Sequence, residues 1–329
     1  MDLSIIIVNY DVFEDVTKCI SSINETIKNL SYEIFVVDNN SSDRSIERID
    51  KLFLNVHLIN LNENRGFGQA NNAAVVHAAG KYLLFVNPDI IFLENTINRL
   101  YFYLESNSSA GCAGPLIIRP DNKIQYYYTF FPSAYSRLMQ EFGFYERAPA
   151  MKRRKYDFIN KNIKYGNPFL VDWVLGACML MPRQIFNRLG GFDESFFLYE
   201  EEVDLLYRMK KEGFDTYILP DVKVIHNHNT ATSKLGFAFI RYHGFRSVII
   251  YSNKHDRNIK KFFSKLLLSF GVILRFFRGI ILTKYKLGNI RTHTYLFWDL
   301  FKLNLAKMDN TEKMNSNFKK AQEALSGRT

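Results

Sequence analysis

Apolar runs alternate with segments of helical periodicity along the N-terminal part of the chain. Tyr82–Val86 is an unbroken run of strand-forming residues, as a strand buried on both faces of a parallel sheet requires. Further strands are predicted at Leu3–Val8, Tyr32–Val37 and Val56–Ile59, and helices at Val12–Thr26, Asp43–Leu52 and Gly68–Ala79. Strands separated by helices of this length form right-handed crossovers. The pattern therefore predicts an α/β fold with a mostly parallel sheet flanked by helices.

Carboxylates follow two of these strands. Pro88 ends the buried strand because it has no N–H to donate, and Asp89 then stands at the carboxyl end; Asp38 directly follows the second strand. Ligands of open α/β sheets bind at this edge. Asp89 could ligate Mg²⁺ or Mn²⁺ carrying a diphosphate, and Asp38 could accept hydrogen bonds from a base or ribose. The alternative for Asp89 is an ordinary turn. The alternative for Asp38 is a simple strand end, followed by a helix that Ser41 or Ser42 caps.

A polar loop punctuated by glycines, residues 62–72, leads into the third predicted helix. Its amides, the positive end of the helix dipole and Arg65 favour an anion such as a pyrophosphate. Alternatively, the glycines only set a tight turn. No G-x-G-x-x-G sequence follows the first strand and the chain has no Walker loop, which argues against a dinucleotide dehydrogenase or a P-loop enzyme.

Four carboxylates fall within the five residues Glu200–Asp204. Such crowding is costly unless a cation, a helix N-terminus or solvent separates the charges. Helical spacing begins near Val203, so Glu201 and Glu202 stand in the first turn, where the helix dipole favours ionised carboxylates. An ionised, positioned carboxylate can act as a general base toward an acceptor hydroxyl. The alternative is a charged helix start on the surface.

Two further segments have the composition of a ligand site. Val171–Met181 is predicted as an apolar strand, in which the pair Gly176 and Ala177 would let a ligand approach the backbone closely. A buried strand with a polar first residue is the alternative. His226 ends another predicted strand, and strand alternation allows only one of His226 and His228 to face inward. A histidine in this position is either a packed residue or a metal ligand.

Separated motifs occur in a fixed order along the chain: Ser4–Tyr10, Val36–Asp43, Arg65–Gly68 with Asn71 and Asn72, and Asn87–Asp89. Together they resemble glycosyltransferase family 2, and within it the bacterial rhamnosyltransferases of surface-polysaccharide assembly. The resemblance covers residues 2–250 approximately. It implies a GT-A fold and an NDP-sugar donor, linked to dTDP or UDP.

The resemblance also implies roles for particular residues. The donor would contact several stretches of chain, comprising Val8, Asn9, Tyr10, Asp38, Asn40, Asn64, Arg65, Gly66, Asn71, Asn87, Gly176 and Ala177. Asp89 would bind Mg²⁺ or Mn²⁺ together with His226. Asn87 replaces the first Asp of a D-x-D motif, so Asp89 is the one certain carboxylate ligand there. Asp172 and Trp173, which begin a stretch matching the family's Trp-x-x-Gly-Ala, would face the acceptor.

The family's acid motif, Tyr-x-Glu-Asp-x-Asp-Leu, aligns on Tyr199–Leu205. By this resemblance Glu202 replaces the usual Asp as general base, which lengthens the side chain by one methylene. Glu201 is the alternative base, and Asp204 would orient its neighbours or the acceptor.

The charge of the chain is unevenly distributed. The whole sequence carries +10, but from Lys234 onward 19 Lys and Arg stand against 5 Asp and Glu, a net +14, so the first 233 residues carry −4. A basic C-terminal third predicts an anionic partner surface. No nucleic-acid-binding module is recognisable, so we predict no nucleic-acid partner.

The segment Phe262–Leu282 is long enough to span a bilayer but is interrupted by Lys265, Arg275 and Arg278. At helical periodicity its basic and small residues share one side, and large apolar residues share the other: Phe263, Leu266, Phe270, Ile273, Leu274, Phe277 and Ile281. That pattern is typical of a helix lying in a membrane interface with anionic headgroups. The alternative is a helix packed on the catalytic domain with its basic side in water.

These observations predict a GT-A catalytic domain at residues 1–235, with a nucleotide-binding half at 1–118 and an acceptor and catalytic half at 119–235. A basic helical extension would follow at 236–308, and a polar tail at 309–329. Three widely spaced cysteines without a C-x-x-C motif fit a reducing compartment, and the N-terminus has the pattern of an uncleaved first strand. We therefore predict a cytoplasmic protein, peripheral at the inner face of the plasma membrane.

The predicted function is inverting, metal-dependent transfer of a sugar, with rhamnose as a candidate, from an NDP-sugar to a saccharide or polyprenyl-linked acceptor in surface-polysaccharide biosynthesis. One rival is a sugar-phosphate nucleotidylyltransferase, which would need a glycine-rich basic loop where this chain has Val8–Asp11. The other is a non-catalytic carbohydrate-binding or scaffold protein.

Overall fold

A computed structural model of the protein describes residues 1–125, 130–141, 149–227, 237–282 and 298–304. The chain divides into two compact units. The first comprises Met1–Phe131, Lys152–Phe197 and Glu201–Lys234, and the second comprises Pro132–Met151, Leu198–Glu200 and Leu235–Thr329.

The strands of the described chain are β1 (Leu3–Asn9), β2 (Tyr32–Asp38), β3 (Val56–Asn60), β4 (Tyr82–Val86), β5 (Ile90–Phe92), β6 (Ala110–Ile118), β7 (Phe169–Val171), β8 (Cys178–Pro182) and β9 (Asp215–His226). The helices are α1 (Phe13–Thr26), α2 (Ser45–Leu52), α3 (Gly66–Val75), α4 (Thr96–Ser106), α5 (Ala134–Glu141), α6 (Pro149–Tyr165), α7 (Arg183–Arg188), α8 (Glu201–Lys211), α9 (Phe237–His255) and α10 (Asn258–Leu282).

One sheet carries the nine strands of the described residues, in the order β3-β2-β1-β4-β8-β6-β9-β5, with β7 paired to β9. The strands β3, β2, β1 and β4 run parallel, and so do β6 and β9. The remaining pairs, which involve β8, β5 and β7, are antiparallel. The predicted α/β fold with a mostly parallel central sheet is confirmed. Because β1, β2 and β4 are parallel, the residues that follow them lie at one edge of the sheet.

The core forms where the apolar pattern predicts it. Every residue of β1 and of β4 is buried, since helices cover both faces of the central strands. On α1 the predicted apolar face, Val16, Ile20 and Ile23, is fully buried. Burial of each such side chain contributes about 1.5–3 kcal/mol to folding.

Two local predictions differ from the structure. α3 spans Gly66–Val75 instead of Gly68–Ala79. The segment Val171–Met181 is not one strand, because β7 pairs with β9 whereas β8 pairs with β4 and β6. The chain crosses between these partners in residues 172–177, and Gly176 lies in the turn.

The three cysteines of the chain are free and buried. Burial raises the pKa of the Cys19 thiol well above its usual range, and the nearby Cys178 and Asp89 raise it further. A thiol in this environment stays protonated at neutral pH, which makes it a packing residue and not a nucleophile.

The described part of the second unit is helical. Gly271 of α10 allows a close approach to α5, because a Cβ at this position would lie 2.4 Å from Cδ2 of Leu138. The inward side of α10 includes Ser264, Leu268 and Val272, all buried. Its outward side carries exposed apolar residues: Ile259, Phe262, Phe263, Leu266, Phe270, Ile273 and Phe277. No helix among the described residues combines the length and the apolar character needed to cross a bilayer.

Candidate active site

The carboxyl ends of β1 and β2 are joined by a buried side-chain pair. Asn9 and Asp38 are register partners, and Asn9 Nδ2 donates to Asp38 Oδ1 at 2.7 Å. The backbone N–H of Ser41 donates to Asp38 Oδ2 at 2.9 Å. Ser41 Oγ accepts from Asn9 Nδ2 and from the N–H of Asp11, so it ties the two strand ends together instead of capping α2. Asp38 is thus held rigidly at the sheet edge.

Next to this pair, amide side chains shape the loop that enters α3. Asn39 Oδ1 accepts from the N–H of Arg65 at 2.8 Å, and Asn39 Nδ2 donates to Asn64 Oδ1 at 2.9 Å. Asn64 Oδ1 also accepts from the N–H of Gly66 at 3.0 Å. These contacts fix the first residues of α3 while the Arg65 side chain stays largely exposed, with Nε 3.6 Å from Glu63 Oε1. The helix N-terminus beside an exposed guanidinium can attract an anionic ligand.

Gly66 brings the start of α3 against the segment that precedes α8. Its φ is +77°, and a Cβ at this position would lie 2.0 Å from the carbonyl oxygen of Phe197. The N–H of Phe67 donates to that same oxygen at 3.3 Å. Only glycine fits both the left-handed backbone and the close approach.

The acidic first turn of α8 lies beside α3 and beside the turn before β8. A Cβ at Gly68 would lie 3.6 Å from Cβ of Glu201, and a Cβ at Gly176 would lie 3.6 Å from Cβ of Glu202. Glu201 is buried, at 5% exposure, whereas Glu202 is half-buried. The two candidate bases therefore differ in overall exposure, although one carboxylate oxygen of each, Oε2, is buried.

One carboxylate of the acidic cluster, that of Asp204, is paired with an arginine of its own helix. Asp204 is fully buried, and its Oδ2 accepts from Arg208 Nε at 2.8 Å. The same guanidinium donates to the carbonyls of Leu189 and Gly191. Glu200, which belongs to the second unit, pairs there with Arg137 at 2.7 Å. Through Arg208, Asp204 is thus linked to the carbonyls of Leu189 and Gly191, and its predicted role in orienting its neighbours or the acceptor stays a prediction.

Two side chains of α3 hold the loop between α7 and α8. Asn72 Oδ1 accepts from the N–H of Phe192 at 3.0 Å and Asn72 Nδ2 donates to its carbonyl at 2.9 Å. Gln69 Nε2 donates to the carbonyl of Glu194 at 2.9 Å. Hydrogen bonds from α3 thus hold loop 190–197 in place. Because this loop leads into α8, α3 also positions the acidic first turn of α8.

Asp89 and His226 face each other at the same edge. β5 pairs with the end of β9, and the N–H of Asn227 donates to the carbonyl of Asp89 at 3.0 Å. Asp89 Oδ1 lies 3.2 Å from His226 Nε2, and both side chains are about 95% buried, with 5% exposed. His226 Nδ1 lies 2.9 Å from Gln125 Oε1. His228 lies outside the described residues.

This pair fits a divalent cation. Two cis ligands about 2.1 Å from an octahedral Mg²⁺ lie about 3 Å apart, close to the observed separation of Asp89 Oδ1 and His226 Nε2. Among the described residues no group of three or more His, Cys, Asp or Glu side chains could hold a metal. The described residues therefore offer Asp89 and His226 as a pair of ligands at this site. A cation bound here would take the rest of its coordination shell from other oxygens, as Mg²⁺ commonly does with substrate phosphates.

The metal-fitting pair and the acidic turn are connected through the turn before β8. The N–H of Asn87 donates to the carbonyl of Ala177 at 2.9 Å. Asn87 lies two residues before Asp89, and Ala177 follows Gly176, which packs against Glu202. A series of contacts thus runs from the segment that carries Asp89, through Ala177 and Gly176, to Glu202.

The sequence model of glycosyl transferase family 2 matches residues 4–190, more than half of the chain. The chain belongs to this family. The predicted family and the predicted enzyme class, a glycosyltransferase, are both confirmed.

Named relatives of this family 2 glycosyltransferase include rhamnosyltransferases. It is 26% identical over 236 residues, 68% of this chain and 75% of the relative, to an N-acetylglucosaminyl-diphospho-decaprenol L-rhamnosyltransferase of Mycobacterium tuberculosis. It is 28% identical over 249 residues, 73% and 88% of the two chains, to rhamnosyltransferase WbbL of Escherichia coli.

Its fold is also that of a solved mannosyltransferase. PcManGT of Pyrobaculum calidifontis, in complex with GDP-Man and Mn²⁺, matches with a TM-score of 0.53 over 98% of this chain and 84% of that chain, at 14% identity. At this identity the likeness concerns the fold alone, and it confirms the predicted GT-A architecture.

The two residues of this glycosyltransferase that were predicted to face the acceptor, Asp172 and Trp173, make hydrogen bonds within the protein. Asp172 Oδ1 accepts from Lys210 Nζ at 2.7 Å, and its Oδ2 accepts from the N–H of Phe131. Trp173 is buried, with its indole N–H donating to the carbonyl of Phe130 at 3.0 Å. Both side chains therefore support the surrounding backbone, and the acceptor-binding role assigned to them remains a prediction.

The remaining donor-contact candidates lie along the edge with different exposure. Val8 is buried, Tyr10 is half-buried, and Asn40 is exposed with φ +66°. Asn71 is fully buried and donates to the carbonyl of Phe67, while within the described chain its Oδ1 has no hydrogen-bond donor. This orphan acceptor sits in the first turns of α3.

Sequence reasoning missed four residues that organise the site: Asn39, Asn72, Gln125 and Arg208. Asn39 and Asn72 stand inside the recognised motifs, and an amide at a strand or helix end is the signal that could have singled them out. Gln125 carries no such signal, because its partner His226 is distant in the sequence. Arg208 stands four residues after Asp204 on α8, and this helical spacing is the signal that could have singled it out.

Proposed function

We propose that this family 2 enzyme is an inverting, metal-dependent glycosyltransferase that moves a sugar from an NDP-sugar to a saccharide or polyprenyl-linked acceptor. The observation that supports the proposal is the buried pair of Asp89 and His226, which is linked to Glu202 through the contact of Asn87 with Ala177 and the packing of Gly176 against Glu202. The names of two relatives support rhamnose as the sugar. The proposal extends to a dTDP- or UDP-linked donor and to a role in surface-polysaccharide biosynthesis.

Glu202 is proposed as the general base. Its carboxylate takes the proton of the acceptor hydroxyl while that oxygen forms a bond to the anomeric carbon and the bond from this carbon to the diphosphate breaks. The nucleoside diphosphate leaves with the electron pair, and the anomeric centre is inverted. Glu202 is favoured over Glu201 because it is half-buried and packs against Gly176, whereas Glu201 is almost fully buried. The positive end of the helix dipole favours a carboxylate at this position.

Other residues are proposed to bind and position. Asp38 and Asn9, with Val8, Tyr10 and Asn40, would hold the nucleoside, and residues at the start of α3 would hold the diphosphate: Asn64, Arg65, Gly66 and Asn71. Asn87, Gly176 and Ala177 would lie against the sugar, and Asp172 and Trp173 toward the acceptor. The proposed catalytic domain is residues 1–235, followed by the helical extension 236–308 and the tail 309–329.

Asp89 and His226 are proposed to hold Mg²⁺ or Mn²⁺. When bound, such a cation acts as a Lewis acid that stabilises the developing charge on the leaving diphosphate. Both side chains are buried, and their separation of 3.2 Å would suit two ligands of one divalent cation.

A panel of nucleotide sugars tests the function. With Mn²⁺ present, we expect dTDP-rhamnose or a UDP-sugar to raise the melting temperature, because a ligand that binds only the folded protein stabilises it by mass action. The matching nucleoside monophosphate serves as control, since it lacks the diphosphate that the cation and α3 would hold. If no nucleotide sugar stabilises the protein at any metal concentration, the proposed function is wrong.

We further propose that α10 associates with the inner face of the plasma membrane. Its exposed apolar face, with Phe262, Phe263 and Phe270 each at 57–60% exposure, is the geometry of an interfacial helix. Lys260 and Arg257 are exposed near the start of the helix and suit anionic headgroups. A polyprenyl-linked acceptor would be met at that surface.

The membrane proposal predicts that Phe270→Ser lowers partitioning into vesicles containing phosphatidylglycerol by about tenfold or more, because burial of a Phe contributes about 1.5–3 kcal/mol. Co-sedimentation of the full chain measures the effect. Phe102→Ser is the matched control, since Phe102 lies in the other unit at 55% exposure against 57% for Phe270. Equal partitioning of the two variants, or no binding to anionic vesicles, would contradict the membrane role of α10.

A further inference from the structure

Gln125 reaches the metal-fitting pair from a separate part of the chain. After β6 the chain turns back, with the N–H of Arg119 donating to the carbonyl of Lys123 at 2.8 Å. The N–H of Gln125 then donates to the carbonyl of Ile117 at 2.9 Å, which anchors the residue on the strand. The side chain is buried, at 7% exposure, and its Oε1 lies 2.9 Å from Nδ1 of His226.

This contact decides which nitrogen of His226 meets Asp89. A carboxamide oxygen can only accept a hydrogen bond, so Nδ1 of His226 is the donor to Gln125. In the neutral imidazole the other nitrogen, Nε2, then carries a lone pair, and it points at Asp89 Oδ1 from 3.2 Å. The 3.2 Å separation of Nε2 and Asp89 Oδ1 also suits two ligands of one divalent cation.

We propose that Gln125 is a positioning residue that fixes the ring orientation and the tautomer of His226, so that Nε2 is presented with Asp89 to a divalent cation. The inference rests on the proposed metal-dependent function, and it adds a residue outside the motifs that carry the family resemblance. Hydrogen bonds from the distal nitrogen of a metal-binding histidine typically strengthen metal binding 10- to 100-fold, by rough estimate.

The test compares two substitutions of Gln125, one that keeps a hydrogen-bond acceptor for His226 Nδ1 and one that removes it. Gln125→Glu keeps an oxygen that accepts from Nδ1, whereas Gln125→Met keeps the length of the side chain without an acceptor of that strength. The binding of Mn²⁺ alone to the full chain is measured by the electron paramagnetic resonance signal of the remaining free ion. Gln184→Met is the control, because Gln184 is exposed on α7.

We expect Gln125→Met to weaken Mn²⁺ binding about tenfold or more, with Gln125→Glu and Gln184→Met close to wild type. Thermal unfolding without metal shows whether each variant is folded. In ¹⁵N-histidine spectra, the Nδ1-protonated tautomer of His226 is expected in the wild type and in part lost in Gln125→Met, a change that a packing role would not produce.

Failure of this inference is distinguishable from failure of the proposed function. If His226→Ala abolishes Mn²⁺ binding while folded Gln125→Met binds Mn²⁺ as tightly as the wild type, the positioning role is wrong and the metal site stands. If Asp89→Asn and His226→Ala both leave Mn²⁺ binding unchanged, the metal site itself is wrong, and the role of Gln125 falls with it.

Discussion

Replacement of Glu202 by glutamine is expected to lower turnover by about 10²- to 10⁴-fold, the contribution typical of a general base. The amide preserves the size of the side chain but cannot take a proton from the attacking hydroxyl. Donor affinity is expected to stay close to wild type, since the base acts on the acceptor and not on the nucleotide. Release of nucleoside diphosphate, with water or saccharide as acceptor, measures turnover, and calorimetry with the nucleotide sugar measures donor affinity.

Glu201→Gln is the matched control for this substitution. Glu201 lies in the same turn of α8 but is buried at 5% exposure, and it packs against Gly68. We expect its loss to change turnover by less than about tenfold, because under the proposal Glu202, and not Glu201, takes the proton of the acceptor. A larger loss in Glu201→Gln than in Glu202→Gln would reverse the assignment of the base. Unchanged turnover in both folded variants would refute base catalysis from this turn.

Gly66→Ala is expected to destabilise the first unit by about 2–5 kcal/mol. About 1–2 kcal/mol comes from placing a Cβ in the left-handed region, and about 1–3 kcal/mol comes from forcing apart the tightly packed loop. The new Cβ would meet the carbonyl oxygen of Phe197 at 2.0 Å, which is far inside contact distance. Relief of that clash moves the start of α3 away from the segment that leads into Glu201 and Glu202. Urea unfolding measures the stability, and donor hydrolysis measures the effect on the site.

Gly190→Ala is the control that separates the cost of the left-handed backbone from the cost of the clash with Phe197. Gly190 has φ +75°, almost the same as Gly66, but a Cβ there meets nothing within 4 Å. Gly190→Ala should therefore lower the free energy of unfolding by only the cost of placing a Cβ in the left-handed region, about 1–2 kcal/mol. The excess cost of Gly66→Ala over Gly190→Ala measures the close approach to Phe197. Equal destabilisation by the two substitutions would show that the loop before α8 is not held tightly against α3.

The central strands and their helices could be predicted from local pattern. β4 coincides with the predicted Tyr82–Val86, and the buried face of α1 is the one that its periodicity indicates. In these elements the apolar residues repeat with the period of the backbone structure they occupy, so burial and secondary structure agree residue by residue. The turn at residues 172–177 could not be predicted in this way. It exists because β7 and β8 pair with different strands, and pairing between distant segments leaves no local period.

Some residues of the candidate site could be predicted from the sequence, and others could not. Asp38, Asp89 and the acidic turn of α8 stand out in the sequence because polar residues there interrupt apolar runs or crowd together. Asn72 and Gln125 do not stand out, although they hold Phe192 and His226 in place. Side chains that act through such distant hydrogen bonds are ordinary polar residues until the chain is folded.

The amino-acid sequence by itself determined the family, the order of strands and helices in the N-terminal half, and the residue types available for chemistry, because these depend on short-range periodicity and on the chemical groups themselves. Only the tertiary structure decided that Asp89 faces His226 at 3.2 Å and that Gly176 packs against Glu202. Contacts of this kind join residues more than twenty positions apart in the chain. They follow from the register of a mixed sheet and from close packing of loops, and neither is encoded in a local run of residues.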